Sequence, residues 1–417
     1  MILHIDMDAY FASLEAQACP SLKGRPLAVG ALPGSRGVVA SASYEAREFG
    51  IRAGMPAAHA RRLCPRVEFV PCHPGLYIHT SRRILRRLLG FTPKVEMSGI
   101  DEAFLDIGDL LPRGADEGIV WQEAERLAGE VSAAVLSEFG LSCSAGVGPN
   151  KAIAKMASKV RKPGGLTLLG ESRFRQLFWP QPVERLYGVG AKTASALMIY
   201  GIETIGELAA TRASLLSRRF GVYGEALHAL AWGRDDSPVV PSHASPPAKS
   251  LGHEHTLERD LETTDDALSL ILALTDRVAA DMRREGYAGR CVRIKIRYSD
   301  FSALTRQRVL AHPTLETRDL YRTARDLFLD HYCGTGIRLL GVTAAQLQPA
   351  EGRAQLPLFP QDRRYRELLQ AVDGIRDHFG AHSLLPAGAM RPARAGAGEE
   401  EDRRDRRPAR PVEPVSR

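Results

Sequence analysis

HIDMDAYFASLE, residues 4–15, sets an aspartate inside an apolar run, and SGIDEAFLD, residues 98–106, does the same with an adjacent acidic pair. HIDMDAYF and DEAFLDI read as strands, which puts Asp6, Asp101 and Glu102 in or near a core. Unpaired buried carboxylates are costly, so these three call for cations. Two Mg²⁺ ions would supply the positive charge. A plainer alternative has the acids capping turns or pairing with arginines, the commoner fate of a lone strand aspartate. An Asp-Glu pair does not decide between the two, and the spacing does not choose between Asp6 and Asp8.

Outward from these strings, residues 1 to about 170 alternate short apolar runs with helical patterns, as in a mixed α/β domain. Val120, Ala124, Leu127, Val131 and Val135 recur at helical spacing, and Gly140 stands where that helix would end. LSCSAGVG, residues 141–148, predicts the next strand, with Leu141, Cys143, Ala145 and Val147 alternating against Ser142, Ser144 and Gly146. From Glu171 to Asp235 the pattern is helical and broken by glycines, which predicts a small all-α unit. DDSPVVPSHASPPAKS, residues 235–250, is too rich in proline and serine for a packed element and predicts an interdomain linker over 236–248. Beyond it the order strand, helix, two strands, helix, strand over residues 249–347 predicts a β-α-β-β-α-β unit with a four-stranded sheet. Residues 391–417 hold few apolar groups and are expected to be a disordered basic tail.

Composition narrows the class. The 417 residues are 44% apolar and 25% charged, enough for two to four folded domains. No apolar run approaches the length of a membrane span and the N-terminus shows no cleavable leader, so a cytoplasmic protein is expected. Six cysteines without a CxxC pair argue against a zinc module or a disulfide framework; His59, Cys64, Cys72 and His73 are wrongly spaced for a finger. The net charge of +7 favours a polyanionic partner without proving one.

Four strings occur in order: HIDMDAYFASLE, ASYEAREFGIRAGMP (42–56), SGIDEAFLD and GVGPNKAIAKMASKVRKPGG (146–165). Together they resemble the Y-family DNA polymerases, nearest the bacterial polymerase IV branch, over roughly residues 1 to 380. The resemblance implies a multidomain α/β fold. A palm with a mixed or antiparallel sheet would take residues 1–10 and 76–170, and small fingers 11–75. A helical thumb would take 171–235, with a helix-hairpin-helix near 186–202, and the little finger 249–347. A clamp-binding segment and short helix would follow over 348–390. It implies template-directed, error-prone translesion synthesis by two-metal nucleotidyl transfer from dNTPs to a primer 3′-hydroxyl, without proofreading.

Residue by residue, Asp6, Asp101 and Glu102 match the family's metal-binding acids, the Met7 carbonyl completes the metal site, and Asp8 is not a ligand. Gly99 stands where the family usually has serine. Phe11 matches the steric gate beneath the sugar, where a ring leaves no volume for a 2′-hydroxyl. Tyr10, Tyr44, Arg47 and Lys162 match the nucleotide-binding positions; arginine offers a planar fork, lysine a point charge and tyrosine a hydroxyl.

LYGVGAKTASALMIYGI, residues 186–202, places Gly188 and Gly190 before a helix starting near Lys192, a loop that aims N–H groups at a phosphate, although a plain helix cap explains it equally well. In CVRIKIRYSD, residues 291–300, Val292, Ile294, Ile296 and Tyr298 take one face and Arg293, Lys295 and Arg297 the other, with Arg306 and Arg308 expected to extend the basic stripe. The 249–347 unit holds 15 basic and 14 acidic residues, so distribution and not net charge would bind DNA. Gln355, Leu356, Leu358 and Phe359, within QLPLF, look like the peptide by which bacterial polymerases hold the sliding clamp. The implied partners are primer-template DNA, dNTPs and that clamp, for a monomer without membrane attachment. A competing reading is a non-catalytic relative that binds DNA as an accessory factor, but such relatives lose the acids.

Overall fold

The computed structural model of the chain describes residues 1–30, 32–244, 247–350 and 360–390. The chain divides into two compact units, Met1–Ser245 and Pro246–Arg417.

In the first unit, β1 (Ile2–Met7), α1 (Tyr10–Ala18), β2 (Leu27–Gly30), β3 (Val39–Ala42), α2 (Tyr44–Glu48), α3 (Ala57–Leu63), β4 (Glu68–Val70) and α4 (Pro74–Leu88) come first. Then follow β5 (Val95–Met97), β6 (Glu102–Asp106), α5 (Glu117–Phe139), β7 (Cys143–Gly148), α6 (Lys151–Ala157) and β8 (Leu166–Leu168). The palm sheet has the order β5-β6-β1-β7-β8, so β1, with the first aspartate, is its centre. A smaller sheet, β3-β2-β4, carries the fingers' core of Ala28, Val39, Ile51 and Val67.

Side-chain alternation on β1 sorts the sheet's two faces. Leu3, Ile5 and Met7 enter a core with Tyr77, Ile84 and Leu88 of α4 and Val131 and Val135 of α5. Full burial of each such aliphatic group contributes about 1.5–3 kcal/mol. Ile2 faces the other way, packing on Phe104 and on Ala154 of α6. His4 and Asp6 share that second face.

The strand predicted over HIDMDAYF stops at Met7. Ala9 adopts the left-handed conformation at φ 46° and Tyr10 opens α1, so the turn converts the strand into a helix where the sequence alternation runs on unbroken. α5 ends as predicted, with Gly140 left-handed at φ 63°. β7 is buried at all six positions because helices cover both faces; the Ser144 and Gly146 side is not a solvent face. A Cβ on Gly146 would lie 2.2 Å from the Ala154 carbonyl oxygen, so only glycine lets α6 lie this close to the sheet.

Over residues 171–235, where a thumb is expected, the chain is helical: α7 (Glu171–Phe178), α8 (Ala191–Met198), α9 (Ile205–Ala210), α10 (Ala213–Phe220) and α11 (Val222–Ala231). The start of the expected linker is laid against the palm instead of hanging free. Val240 N–H donates to Glu96 at 2.8 Å, Ser242 Oγ donates to the Val95 carbonyl at 3.1 Å, and Val239 packs beside Phe104. Proline and serine content signals missing regular structure but says nothing about such anchoring.

The second unit is the β-α-β-β-α-β little finger: β9 (Ser250–Leu261), α12 (Thr264–Arg284), β10 (Tyr287–Tyr298), β11 (Ala303–Thr314), α13 (Thr317–His331) and β12 (Ile337–Pro349), with α14 (Pro360–Phe379) after it. Its antiparallel sheet runs β11-β10-β12-β9. Val292, Ile294, Ile296 and Tyr298 enter the core under α12 and α13, as their alternation predicts.

Candidate active site

Three acidic residues stand at one end of the palm sheet. Asp6 and Glu102 are cross-strand neighbours in the antiparallel β1–β6 pair and therefore point to the same face. The Met7 N–H donates to the Asp101 carbonyl at 2.8 Å, tying the third acid to the end of the same ladder. Gly99 lies in the turn that delivers the pair. A Cβ there would stand 3.1 Å from Asp101 Oδ1 and 3.3 Å from Glu102 Cγ, so the glycine lets the turn fold closely over both side chains.

Cationic side chains face the acids. Lys162 Nζ lies 2.6 Å from Asp6 Oδ1 and Lys155 Nζ 2.5 Å from Glu102 Oε2. His4, fully buried behind them, places Nε2 3.5 Å from Glu102 and Nδ1 2.9 Å from Ser158 Oγ. Those contacts, His4 first and Lys155 with it, hold the Glu102 carboxyl well below the usual carboxylate range. Burial pushes Asp101 the other way, reinforced by the negative charges of Asp6 and Glu102. Among the described residues, no three His, Cys, Asp or Glu side chains already close around a single point: Asp6 and Glu102 are turned towards their lysines. Three carboxylates and a free carbonyl are nevertheless a hard-oxygen donor set of the kind that suits Mg²⁺.

His4 and Lys155 are not singled out by the sequence motifs. The available signal is the four-residue spacing of Lys151 and Lys155, which puts both on one side of α6, Lys151 reaching Glu96 and Lys155 reaching Glu102.

The other predicted positions separate into groups. The Phe11 ring stacks on Tyr77 at 4.2 Å between centroids, nearly parallel, and stays partly open. Tyr10 is a core residue: it is 2% exposed and its hydroxyl donates to the Tyr77 carbonyl, so its side chain is not offered to a ligand. Its place directly before Phe11 concealed that, because the helix starting there sends adjacent side chains to different sides. Tyr44 and Arg47, on α2, form a unit, the guanidinium lying 4.6 Å above the ring, and Arg47 Nε donates to the Ala42 carbonyl at 3.0 Å. Asp8, unlike Asp6, is buried, and its carboxylate accepts from three donors.

In the thumb, Gly188 is left-handed at φ 92° and Gly190 caps α8 without a side-chain partner. Val189 between them is buried, so the loop is anchored by its middle while both glycines and Lys192 stay exposed. Tyr223 Oη braces it by donating to the Gly188 carbonyl at 2.6 Å.

In the little finger, Arg293, Lys295 and Arg297 lie on the sheet face opposite the helices, with Lys295 paired to Glu254 at 2.7 Å. Arg306 and Arg308 do not extend this stripe. The β10–β11 register sets Arg306 opposite Ile294 and Arg308 opposite Val292, on the helix face, and Arg308 pairs with Asp330 of α13 at 3.0 Å. Gln307 is the residue that joins the stripe, accepting from Arg293 at 2.8 Å. The clamp-like peptide at Gln355, Leu356, Leu358 and Phe359 lies outside the described residues. No described helix is long and apolar enough to cross a membrane.

The profile described as the impB/mucB/samB family matches residues 5–159, and that of the family's C-terminal domain matches residues 248–358. A protein of Desulfatibacillum aliphaticivorans named DNA polymerase IV is 38% identical over 391 residues, covering 93% of this chain and 96% of its own. A protein of the same name from Moorella thermoacetica is 40% identical over 400 residues, covering 93% and 97%. Among solved structures, the Y-family DNA polymerase chimera Dbh-Dpo4(243-245)-Dbh aligns with a TM-score of 0.72 and 24% identity over 83% of this chain and 98% of its own, a likeness of fold.

Proposed function

The chain belongs to the impB/mucB/samB family, the Y-family DNA polymerases, and is a DNA-directed DNA polymerase; from that premise we propose that it performs cytoplasmic, error-prone translesion synthesis with Asp6, Asp101 and Glu102 as its metal-binding acids. The observation that supports the reading is that Asp6 and Glu102 are cross-strand neighbours on one sheet face, with Asp101 tied by its carbonyl to the end of the same ladder, within the matched family segment.

The carboxylates of Asp6, Asp101 and Glu102 and the Met7 carbonyl would hold two Mg²⁺ ions. When bound, the ions would lower the pKa of a primer 3′-hydroxyl and neutralise the triphosphate and its pyrophosphate leaving group. Arg47 and Lys162 supply fixed positive charge to the triphosphate, with Tyr44 as the platform beneath Arg47. Phe11 fills the space a ribose 2′-hydroxyl would need. Lys162 and Lys155, each paired with one of the acids, place positive charge beside the carboxylates.

For the DNA itself, the exposed backbone at Gly188 and Gly190, with Lys192, grips phosphates without reading sequence. Arg293, Lys295 and Arg297 do the same on the open sheet face of the little finger. The Gln355–Phe359 peptide would hold the sliding clamp and raise the local concentration of a weakly gripping enzyme.

The test is extension of a primed template with dNTPs and Mg²⁺. The wild-type chain is expected to extend the primer, and Asp101→Asn to lose at least about a thousandfold in rate, on the order of the loss when an essential charge-stabilising group is removed. Equal rates for the two would refute the assignment, and DNA binding without any extension by the wild type would favour the accessory-factor reading.

A further inference from the structure

Asp8 is the acid of the HIDMD stretch that the reaction scheme leaves without a task. Its side chain is 2% exposed, and a buried carboxylate persists only with donors around it. Three separate segments supply them. Tyr44 Oη donates to Oδ1 at 3.1 Å, Ser144 Oγ donates to the same oxygen at 2.7 Å, and the Gly164 N–H donates to Oδ2 at 2.8 Å.

The identity of those segments matters. Tyr44 opens α2 and carries the Arg47 guanidinium over its ring. Gly164 follows Lys162 by two residues, in the turn that aims the lysine at the site. Ser144 belongs to β7, beside β1 in the sheet, with Asp6 as its cross-strand neighbour. Asp8 itself is fixed to the sheet, its N–H donating to the Ser142 carbonyl at 3.0 Å. One carboxylate therefore references the fingers helix and the Lys162 turn to the strand that carries the acids.

We propose that Asp8 is a positioning residue for the incoming nucleotide, ordering Tyr44–Arg47 and Lys162 as one phosphate pocket before substrate arrives. The proposal rests on the reading in which Arg47, held on Tyr44, and Lys162 meet the triphosphate. In the arrangement described, the Tyr44 proton is committed to Asp8, so what α2 presents to a phosphate is the Arg47 fork held on the ring. Groups ordered in advance lose little freedom on binding; without Asp8 that ordering falls to the binding step. The effect belongs in KM for the nucleotide and leaves kcat nearly alone.

The experiment measures steady-state primer extension with the full chain on primed DNA, giving KM for dNTP and kcat for wild type, Asp8→Asn, Tyr44→Phe, their double variant and Arg47→Ala, with thermal melting alongside. Asp8→Asn keeps the volume but sets an amide N–H₂ or a weakened acceptor against three donors. It is expected to raise KM about tenfold with kcat within about twofold, the scale of one lost hydrogen bond to a charged group. Tyr44→Phe, which deletes one donor and keeps the carboxylate, is expected to raise KM about threefold. The double variant should fall short of the product of the two, since both break the same bond. Unchanged KM in Asp8→Asn, or a lower melting temperature and kcat with KM unchanged, would overturn the proposal while Arg47→Ala still raises KM. If Arg47→Ala leaves KM unchanged, the phosphate-pocket reading itself has failed. Should Asp8→Asn not fold, Tyr44→Phe decides: unchanged KM overturns the proposal.

Discussion

Phe11 and Cys143 show how far one side chain's surroundings decide its chemistry. Phe11 is backed by Tyr77, so the ring cannot retreat from a sugar placed against its open side. Phe11→Ala is expected to raise ribonucleotide incorporation roughly ten- to a hundredfold while extension with deoxynucleotides changes little, checked by competing the two substrates at one template position. Unchanged sugar discrimination would remove Phe11 from the pocket. Burial, with the negative charges of Asp8 and Asp6, pushes the Cys143 thiol up to about 11. The thiolate is the reactive form, so at pH 8 Cys143 should label only on unfolding, whereas the exposed Cys19 and Cys333 label in the native protein. Mass spectrometry after timed alkylation reads this directly. At this scale the sequence points to Asp6 over Asp8 only through family resemblance: the two have equivalent positions in the string, and what differs between them in the structure is the trio of donors around Asp8, contributed from residues 36 to 156 positions away in the chain.

Among the elements, alternation was legible wherever both neighbours of a strand obeyed it. CVRIKIRY reads correctly because four apolar residues must meet α12 and α13. Arg306 and Arg308 read wrongly because face is inherited from hairpin register, and the Ser299–Ser302 turn sets that register without a hydrophobic pattern to reveal it. The end of β1 was hidden for a related reason: nothing in DAYF announces a left-handed alanine. Two outcomes follow from the observed faces. Arg293→Ala and Arg297→Ala should each lower the slope of log DNA affinity against log salt by about 1, and Arg308→Ala, tied to Asp330 on the helix face, should leave it unaltered. Fluorescence anisotropy across a salt series checks this, and a slope unchanged in all three would remove the open face from the DNA interface. Gly146→Ala should destabilise the first unit by about 3 kcal/mol, since its methyl would meet α6 backbone rather than a movable side chain; chemical denaturation measures it.

For the whole molecule, the two units carry different parts of the work. Met1–Ser245 holds the three acids and the residues proposed to meet the nucleotide, and Pro246–Arg417 holds the basic sheet face. Unit order and the little-finger topology could be read from the chain because linker composition and helix-strand periodicity are local signals. The gathering of Asp6 with Asp101 and Glu102 could not, because nearly a hundred residues separate them and only the β1–β6 pairing closes that gap. Leu358→Ala with Phe359→Ala is expected to abolish stimulation by the sliding clamp and to leave clamp-free extension intact; stimulation that survives both changes would end the clamp assignment. The proposed chemistry depends on the shared cations, and the most direct measurement counts them. Electron paramagnetic resonance titration of Mn²⁺ into the full chain with primed DNA and a non-hydrolysable dNTP should find two tightly held ions, with tight binding lost in Asp6→Asn and weakened in Glu102→Gln. The same number and affinity of ions in both variants as in the wild type would contradict it.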